Sequence, residues 1–231
     1  GRLVKLLKKA VADFNGVPAG VSGVPAVGVV GEIYIKYNSF GHFGIIDWLV
    51  RNNVEVVVPP LLEFFLHSIV NTAARARDFV AREDIGSRLA KLVARAVEAA
   101  TRKLSDVMEK FRYYRPTPSI VDAASMASEI MSLNHQYGEG WLISAEVASM
   151  SRQGVNEIVC VQPFGCIANH VVGKGMEAQI KRHYPGINML FLDFDPGTAE
   201  VNVHNRLHFL VQNSCTGAET APGVRMSEML D

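Results

Sequence analysis

Four short runs of this chain, at 26–35, 54–58, 157–162 and 188–193, are apolar, rich in Val and Ile, and bounded by turn residues. None shows the apolar/polar alternation of a strand with one wet face. Runs of this kind suit strands buried on both sides, the condition of a parallel sheet. A helical pattern follows each of them, at 40–52, 61–70, 169–183 and 198–212. In the last of these Val203, Leu207, Leu210 and Val211 make one apolar stripe. Strand and helix in repetition predict an α/β fold: a four-stranded parallel, flavodoxin- or Rossmann-like sheet with helices on both faces. The first run is expected to be interrupted near Gly31.

Between the second and third strands the spacing predicts a helix-rich insertion, 71–153, on a single α/β domain spanning 1–214. Within it Ile85, Leu89, Leu92, Val93, Ala96, Val97, Ala100, Leu104, Val107 and Phe111 keep helical spacing, with Arg and Lys on the other side. A helix of about 26 residues would be ~39 Å long, so it must pack along the domain or reach a partner. Arg115-Pro116-Thr117-Pro118 stops it, and Ser119 with Asp122 resembles a capping box for the next helix. After Cys215 the periodicity is weak, and a flexible tail over 215–231 is expected.

Composition excludes more than it selects. Lys+Arg and Asp+Glu balance at 23 each, so no bulk field favours nucleic acid or an anionic membrane. No apolar stretch approaches the ~20 residues of a bilayer span, and residues 1–9 form a basic amphipathic stretch unlike a signal peptide. Three cysteines, an odd count in a chain of 231 residues, point to a reducing, cytoplasmic compartment.

Open α/β sheets bind ligands beyond the carboxyl ends of their strands, where the strand order reverses. With the order 2-1-3-4, Asn38 after the first strand and Pro163-Phe164-Gly165-Cys166 after the third would share one crevice. Cys166 is the leading candidate. It follows a Pro and a Gly and precedes a helix, whose unpaired N–H groups and dipole favour a thiolate able to bind metal or attack an electrophile. A small apolar side chain in a tight turn is the alternative. Cys160, inside the apolar third strand, reads more readily as core, and a zinc site from Cys160, Cys166 and His170 fits no common spacing. Asp193 and Asp195 at the end of the fourth strand suit either metal or base chemistry or the capping of the next helix. Asn202, Asn205 and Arg206 crowd one side of that helix, for a polar ligand or for solvent. Gly173-Lys174-Gly175 lies in a predicted helix and lacks the Ser or Thr of a phosphate loop.

The run Ile158-Val159-Cys160-Val161-Gln162-Pro163-Phe164-Gly165-Cys166-Ile167-Ala168-Asn169-His170-Val171-Val172-Gly173-Lys174-Gly175 is distinctive. So is Asp193-Phe194-Asp195-Pro196-Gly197 with Glu200, Asn202, Asn205 and Arg206. Together they resemble the C-terminal part of activase-associated proteins of the 2-hydroxyacyl-CoA dehydratase group, relatives of 2-hydroxyglutaryl-CoA dehydratase and benzoyl-CoA reductase. Gly31-Glu32-Ile33-Tyr34 with Tyr37-Asn38 is similar to that family's first-strand segment. The likeness follows the order of elements over most of 25–212.

The resemblance implies a lobe that helps hold an oxygen-sensitive [4Fe–4S] cluster, fed single electrons by an ATP-dependent activase for acyl-CoA dehydration. It gives Cys166 the role of a cluster ligand and makes Cys160 a second candidate; Asn38, Phe164, Asp193, Asp195, Asn202 and Arg206 would line the crevice. The chain departs from the family in lacking its Cys-Tyr-Pro motif and the activase's nucleotide-binding domains. A cubane needs about four ligands, so one lobe of a longer polypeptide, inactive alone, is expected. Two further classes stay open: an interaction module docking through its helical insertion, and a small-molecule-binding domain in which Cys166 is structural.

Overall fold

The computed structural model describes residues 1–19, 23–78, 80, 82 and 85–219. In chain order these form α1 (Arg2–Asn15), β1 (Ala26–Gly31), α2 (Ile33–Tyr37), α3 (Ile45–Arg51), β2 (Glu55–Val57), α4 (Leu61–Arg77) and α5 (Ile85–Met108). There follow α6 (Ile120–Ile130), α7 (Leu142–Arg152), β3 (Glu157–Pro163), α8 (Ile167–Val172), a 3-10 turn (Lys174–Met176), α9 (Glu177–His183), β4 (Asn188–Phe194) and α10 (Glu200–Glu219).

The four strands make one parallel sheet in the order β2-β1-β3-β4. This is the expected α/β architecture, and its switch point falls between β1 and β3. Val27, Val29 and Val30 of β1 and Ile158, Val159 and Val161 of β3 are completely buried, at roughly 1.5–3 kcal/mol for each such side chain. One face of the sheet packs against α4, α6 and α7, with Trp141, Leu142 and Ile143 out of solvent. Ile45 and Leu49 of α3 and Val203, Leu207 and Leu210 of α10 cover the other.

The segment expected as an insertion is thus a structural layer. α6 and α7 bury Ala123, Ala127, Val147 and Ala148 in the same core as Ile158, so removing them would strip one face of the sheet. The Ser119 hydroxyl accepts from the Asp122 N–H at 3.1 Å and donates to its carboxylate at 2.7 Å. This is the start signal read from the sequence. α5 runs for 24 residues and pairs with α1, where Phe14 meets Phe111 edge-on at 6.5 Å and Asn15 donates to the Lys110 carbonyl.

Several boundaries differ from expectation, among them α3, which starts at Ile45 rather than at 40, and α4, which runs to Arg77 past the expected end at 70. The interruption expected near Gly31 is there: β1 stops at that residue, whose φ of +117° diverts the chain into α2. The helix expected over 169–183 is broken at Gly173. A Cβ there would lie 2.8 Å from the Asn169 carbonyl and 3.3 Å from the Cys160 Sγ, so Lys174 and Gly175 sit in a 3-10 turn. α10 continues to Glu219, past the expected start of the tail; residues 220–231 lie outside the described residues.

Candidate functional site

The ends of β1, β3 and β4 converge at the switch point. Glu32, just past β1, donates its N–H to the Val161 carbonyl at 2.8 Å, and Phe164, just past β3, donates to the Phe194 carbonyl at 2.9 Å. The Pro163–Cys166 turn closes with the Cys166 N–H on the Pro163 carbonyl at 3.1 Å, and Gly165 takes φ +76°. Cys166 occupies the N-cap of α8 as a free, half-buried thiol. Phe164 and Ile167 beside it are 72% and 78% exposed. That leaves the thiol in an apolar, accessible rim.

Behind the turn lies a polar cluster. Gln162 is completely buried and donates to Asp193 Oδ1 at 2.6 Å, while its Oε1 has no hydrogen-bond partner. His170 places Nδ1 2.8 Å from the Cys166 carbonyl oxygen and Nε2 3.7 Å from Asp193 Oδ1. Both ring nitrogens thus face groups other than the thiol, so a thiolate–imidazolium pair is not assembled. Asn169, also fully buried, has neither Oδ1 nor Nδ2 partnered.

The other sequence candidates separate. Cys160 is fully buried beside Gly173, paired in register with Phe191, and burial pushes its thiol well above the usual range. It belongs to the core face and is not presented with Cys166. Asp193 stands at the site. Asp195 accepts from the Gly197 N–H at 2.7 Å and the Thr198 hydroxyl at 3.0 Å, which makes it a turn residue. Asn38 accepts from the N–H groups of Phe40 and Gly41 and so holds the turn after α2. Asn202 and Arg206 are exposed on α10, whose inner face stacks His204 on Trp48 at 5.4 Å. The Cys215 side chain lies outside the described residues.

A second polar group was not anticipated. Lys36 Nζ meets Glu146 Oε1 at 2.8 Å with side-chain exposures of 4% and 2%. Glu139 accepts from the Ile33 N–H at 2.8 Å, and the Tyr37 hydroxyl donates to the Pro59 carbonyl. Glu63 is buried nearby. Burial, reinforced by Glu146 and opposed by Lys36, pushes its carboxyl up to about 8. Burial likewise raises Glu146, although Lys36 pulls it back. A signal existed in the sequence: Glu146 is a lone charge among Leu142, Ile143, Ala145, Val147 and Ala148.

The residues present fit a metal cluster only in part. Cys166 offers one accessible thiolate, yet among the described residues no three His, Cys, Asp or Glu gather as a metal site. A cubane is therefore not held by the described residues alone.

Fold and site define an open, parallel α/β protein with a thiol just past β3 and, behind it, a buried glutamine amide bonded to a partly exposed carboxylate on β4. Comparison with protein-family models, curated proteins and solved structures gave no match to this chain.

Proposed function

We propose that this chain is one lobe of an iron–sulfur system of the 2-hydroxyacyl-CoA dehydratase type, in which Cys166 supplies a single thiolate to a cluster completed by another lobe or subunit. The observation that carries the reading is the presentation of Cys166. It is a free thiol on a hydrogen-bonded turn at the switch point, flanked by the exposed apolar Phe164 and Ile167. The rim suits a protein surface closing over the thiol. When bound, a [4Fe–4S] cluster would supply single-electron reduction of an acyl-CoA, driven by an ATP-dependent activase. This chain's part is to hold one corner. Gln162 and Asp193 fix the loop from behind, and His170 ties the first turn of α8 to the Cys166 carbonyl. A reducing cytoplasm is the setting that keeps such a thiol free. No described helix is long and apolar enough to cross a membrane.

The test uses a synthetic [4Fe–4S] cubane capped by small thiolates, added under anaerobic conditions. In a Cys215→Ser background taken as the reference, exchange of one cap for Cys166 should attach iron and sulfide to the reference and to Cys160→Ala, but not to Cys166→Ser. Equal iron on that reference and on its Cys166→Ser variant would reject the assignment.

A second reading, an interaction module, is favoured by one observation. On α5, Ile85, Leu89, Leu92 and Val93 are 85%, 61%, 63% and 52% exposed, an apolar face open to a partner.

A further inference from the structure

The chain's charges balance as a whole but not helix by helix. α1 and α5 hold nine of the 23 Lys and Arg, but only three of the 23 Asp and Glu. The same two helices carry bare apolar surface. Between them runs an open groove of about 270 Å³ lined by Leu7, Ala10, Val11, Phe14, Met108 and Phe111, with no polar side chain among them. Leu3 and Leu6 of α1 are each more than half exposed. By helical spacing, the exposed Ile85, Leu89, Leu92 and Val93 share a face of α5 with Leu104 and Val107. Val107 is buried, and α1 packs at that end through Phe14 and Phe111. The apolar stripe of α5 is thus covered toward its C-terminus and bare toward its N-terminus.

Cations border the bare parts. Arg88 and Arg95, seven residues apart and both exposed, run along one flank of the α5 stripe. Arg2 and Lys9, also seven apart and exposed, run along the Leu6 side of α1, where Asp13 is the acidic neighbour. An apolar face edged by Lys and Arg is the pattern of helices that lie in a membrane interface, where the long basic side chains reach the headgroups.

We infer that α1 and the N-terminal half of α5 dock on an anionic lipid bilayer, Leu3, Leu6 and the bare α5 stripe entering the boundary between headgroups and acyl chains and the flanking Lys and Arg meeting lipid phosphates. The positive excess complements such a surface. A second copy related by a two-fold axis would set this face against itself, cations against cations. A protein interface carries about one hydrogen bond per 100–200 Å², which the groove has no polar side chain to make; a bilayer asks for none there. This contact is a specific form of the interaction reading, which rests on the same bare face of α5, and no residue of the Cys166 turn takes part.

Flotation with vesicles of phosphatidylcholine, alone or mixed with phosphatidylglycerol, reads the contact. Partitioning onto the mixed vesicles should be about tenfold stronger or more, and should fall as salt is raised. Leu6→Gln with Leu89→Gln, at exposed positions and so expected to fold, should weaken it about tenfold or more. Equal partitioning onto the two lipids overturns the inference, as does undiminished binding by the leucine variant when its thermal melt matches wild type. Sedimentation velocity without lipid separates this failure from failure of the interaction reading. A chain that ignores both vesicles yet self-associates, and loses that association in the leucine variant, overturns the membrane contact and keeps the interaction reading.

Discussion

Lys36 and Glu146 lie 2.8 Å apart, brought together from α2 and α7 across 110 residues of sequence, and both are almost wholly withdrawn from solvent. Two isolated charges at this depth would each carry a large desolvation cost, and only their mutual attraction offsets it. Lys36→Met should therefore destabilise the fold by about 3–5 kcal/mol, because it strands a carboxylate. Lys36→Met with Glu146→Leu should recover most of that loss, since a well-packed apolar pair is often as stable as the ion pair. Urea unfolding of the single and double variants checks this. A double variant no more stable than the single would show that the pair does more than neutralise itself.

Glu63 makes the fold lose stability as pH rises from about 4.5 to 8. Its carboxyl holds its proton to about 8 in the fold, against 4.5 as the ordinary value. Below 4.5 both folded and unfolded chains carry the proton, and nothing is lost. As pH rises through the window the unfolded chain ionises first, so the fold loses stability until about pH 8 and then levels off. His42 and His67, held low by burial, act in the opposite sense, lowering stability as pH falls below about 6.5. Subtracting the curve of Glu63→Gln from that of wild type cancels the histidines. The difference should decline with rising pH by several kcal/mol over the window, at about 1.4 kcal/mol per unit at most. A flat difference would place Glu63 in a wetter setting.

Gly31 and Gly165 both have positive φ, at +117° and +76°, but their substitutions should differ. A Cβ on Gly31 would land on the Val161 carbonyl, which is backbone in the centre of the sheet, whereas a Cβ on Gly165 meets nothing within 4 Å. Gly165→Ala should cost only the left-handed strain, about 1–2 kcal/mol. Gly31→Ala must also part β1 from β3 and should cost at least ~3 kcal/mol. Thermal melts of the two variants give the comparison directly.

The same glycines show what was legible in the sequence and what was not. The apolar runs gave the strands and, with the helices between them, their parallel arrangement, because burial on two faces leaves its mark on every residue of a strand. Gly31 was seen as an interruption, but its contact with Val161 belongs to another strand and has no local sign. Gly173 breaks a helix for a similar reason: the Cys160 sulfur from β3 fills the space a side chain would need. Cys166 was readable because turn residues announce a strand end. The Lys36–Glu146 pairing was not: Glu146 stands out as a lone charge in an apolar run, but its partner lies 110 positions away, and nothing local names it. Asp195 suited ligand or base chemistry and helix capping equally well, and Asn38 was read as a crevice residue; each accepts hydrogen bonds from its own turn.

Cys160 and Cys166 should react at very different rates. Cys166 is half-buried on an accessible turn, while Cys160 is completely enclosed between β3 and the chain at Gly173, with burial holding its thiol protonated. Thiolates, not thiols, attack alkylating reagents, so enclosure slows Cys160 both by blocking access and by removing its reactive form. In a Cys215→Ser background, iodoacetamide should modify the native chain once, at Cys166. Cys160 should be modified only when the fold opens, at a rate that tracks global stability and rises in Lys36→Met. Peptide mapping by mass spectrometry after native and urea-unfolded labelling separates the sites. Labelling of Cys160 as fast as Cys166 in the native chain would mean that the third strand opens locally, and the division between an accessible thiol at the tip and a packed thiol in the core would fall.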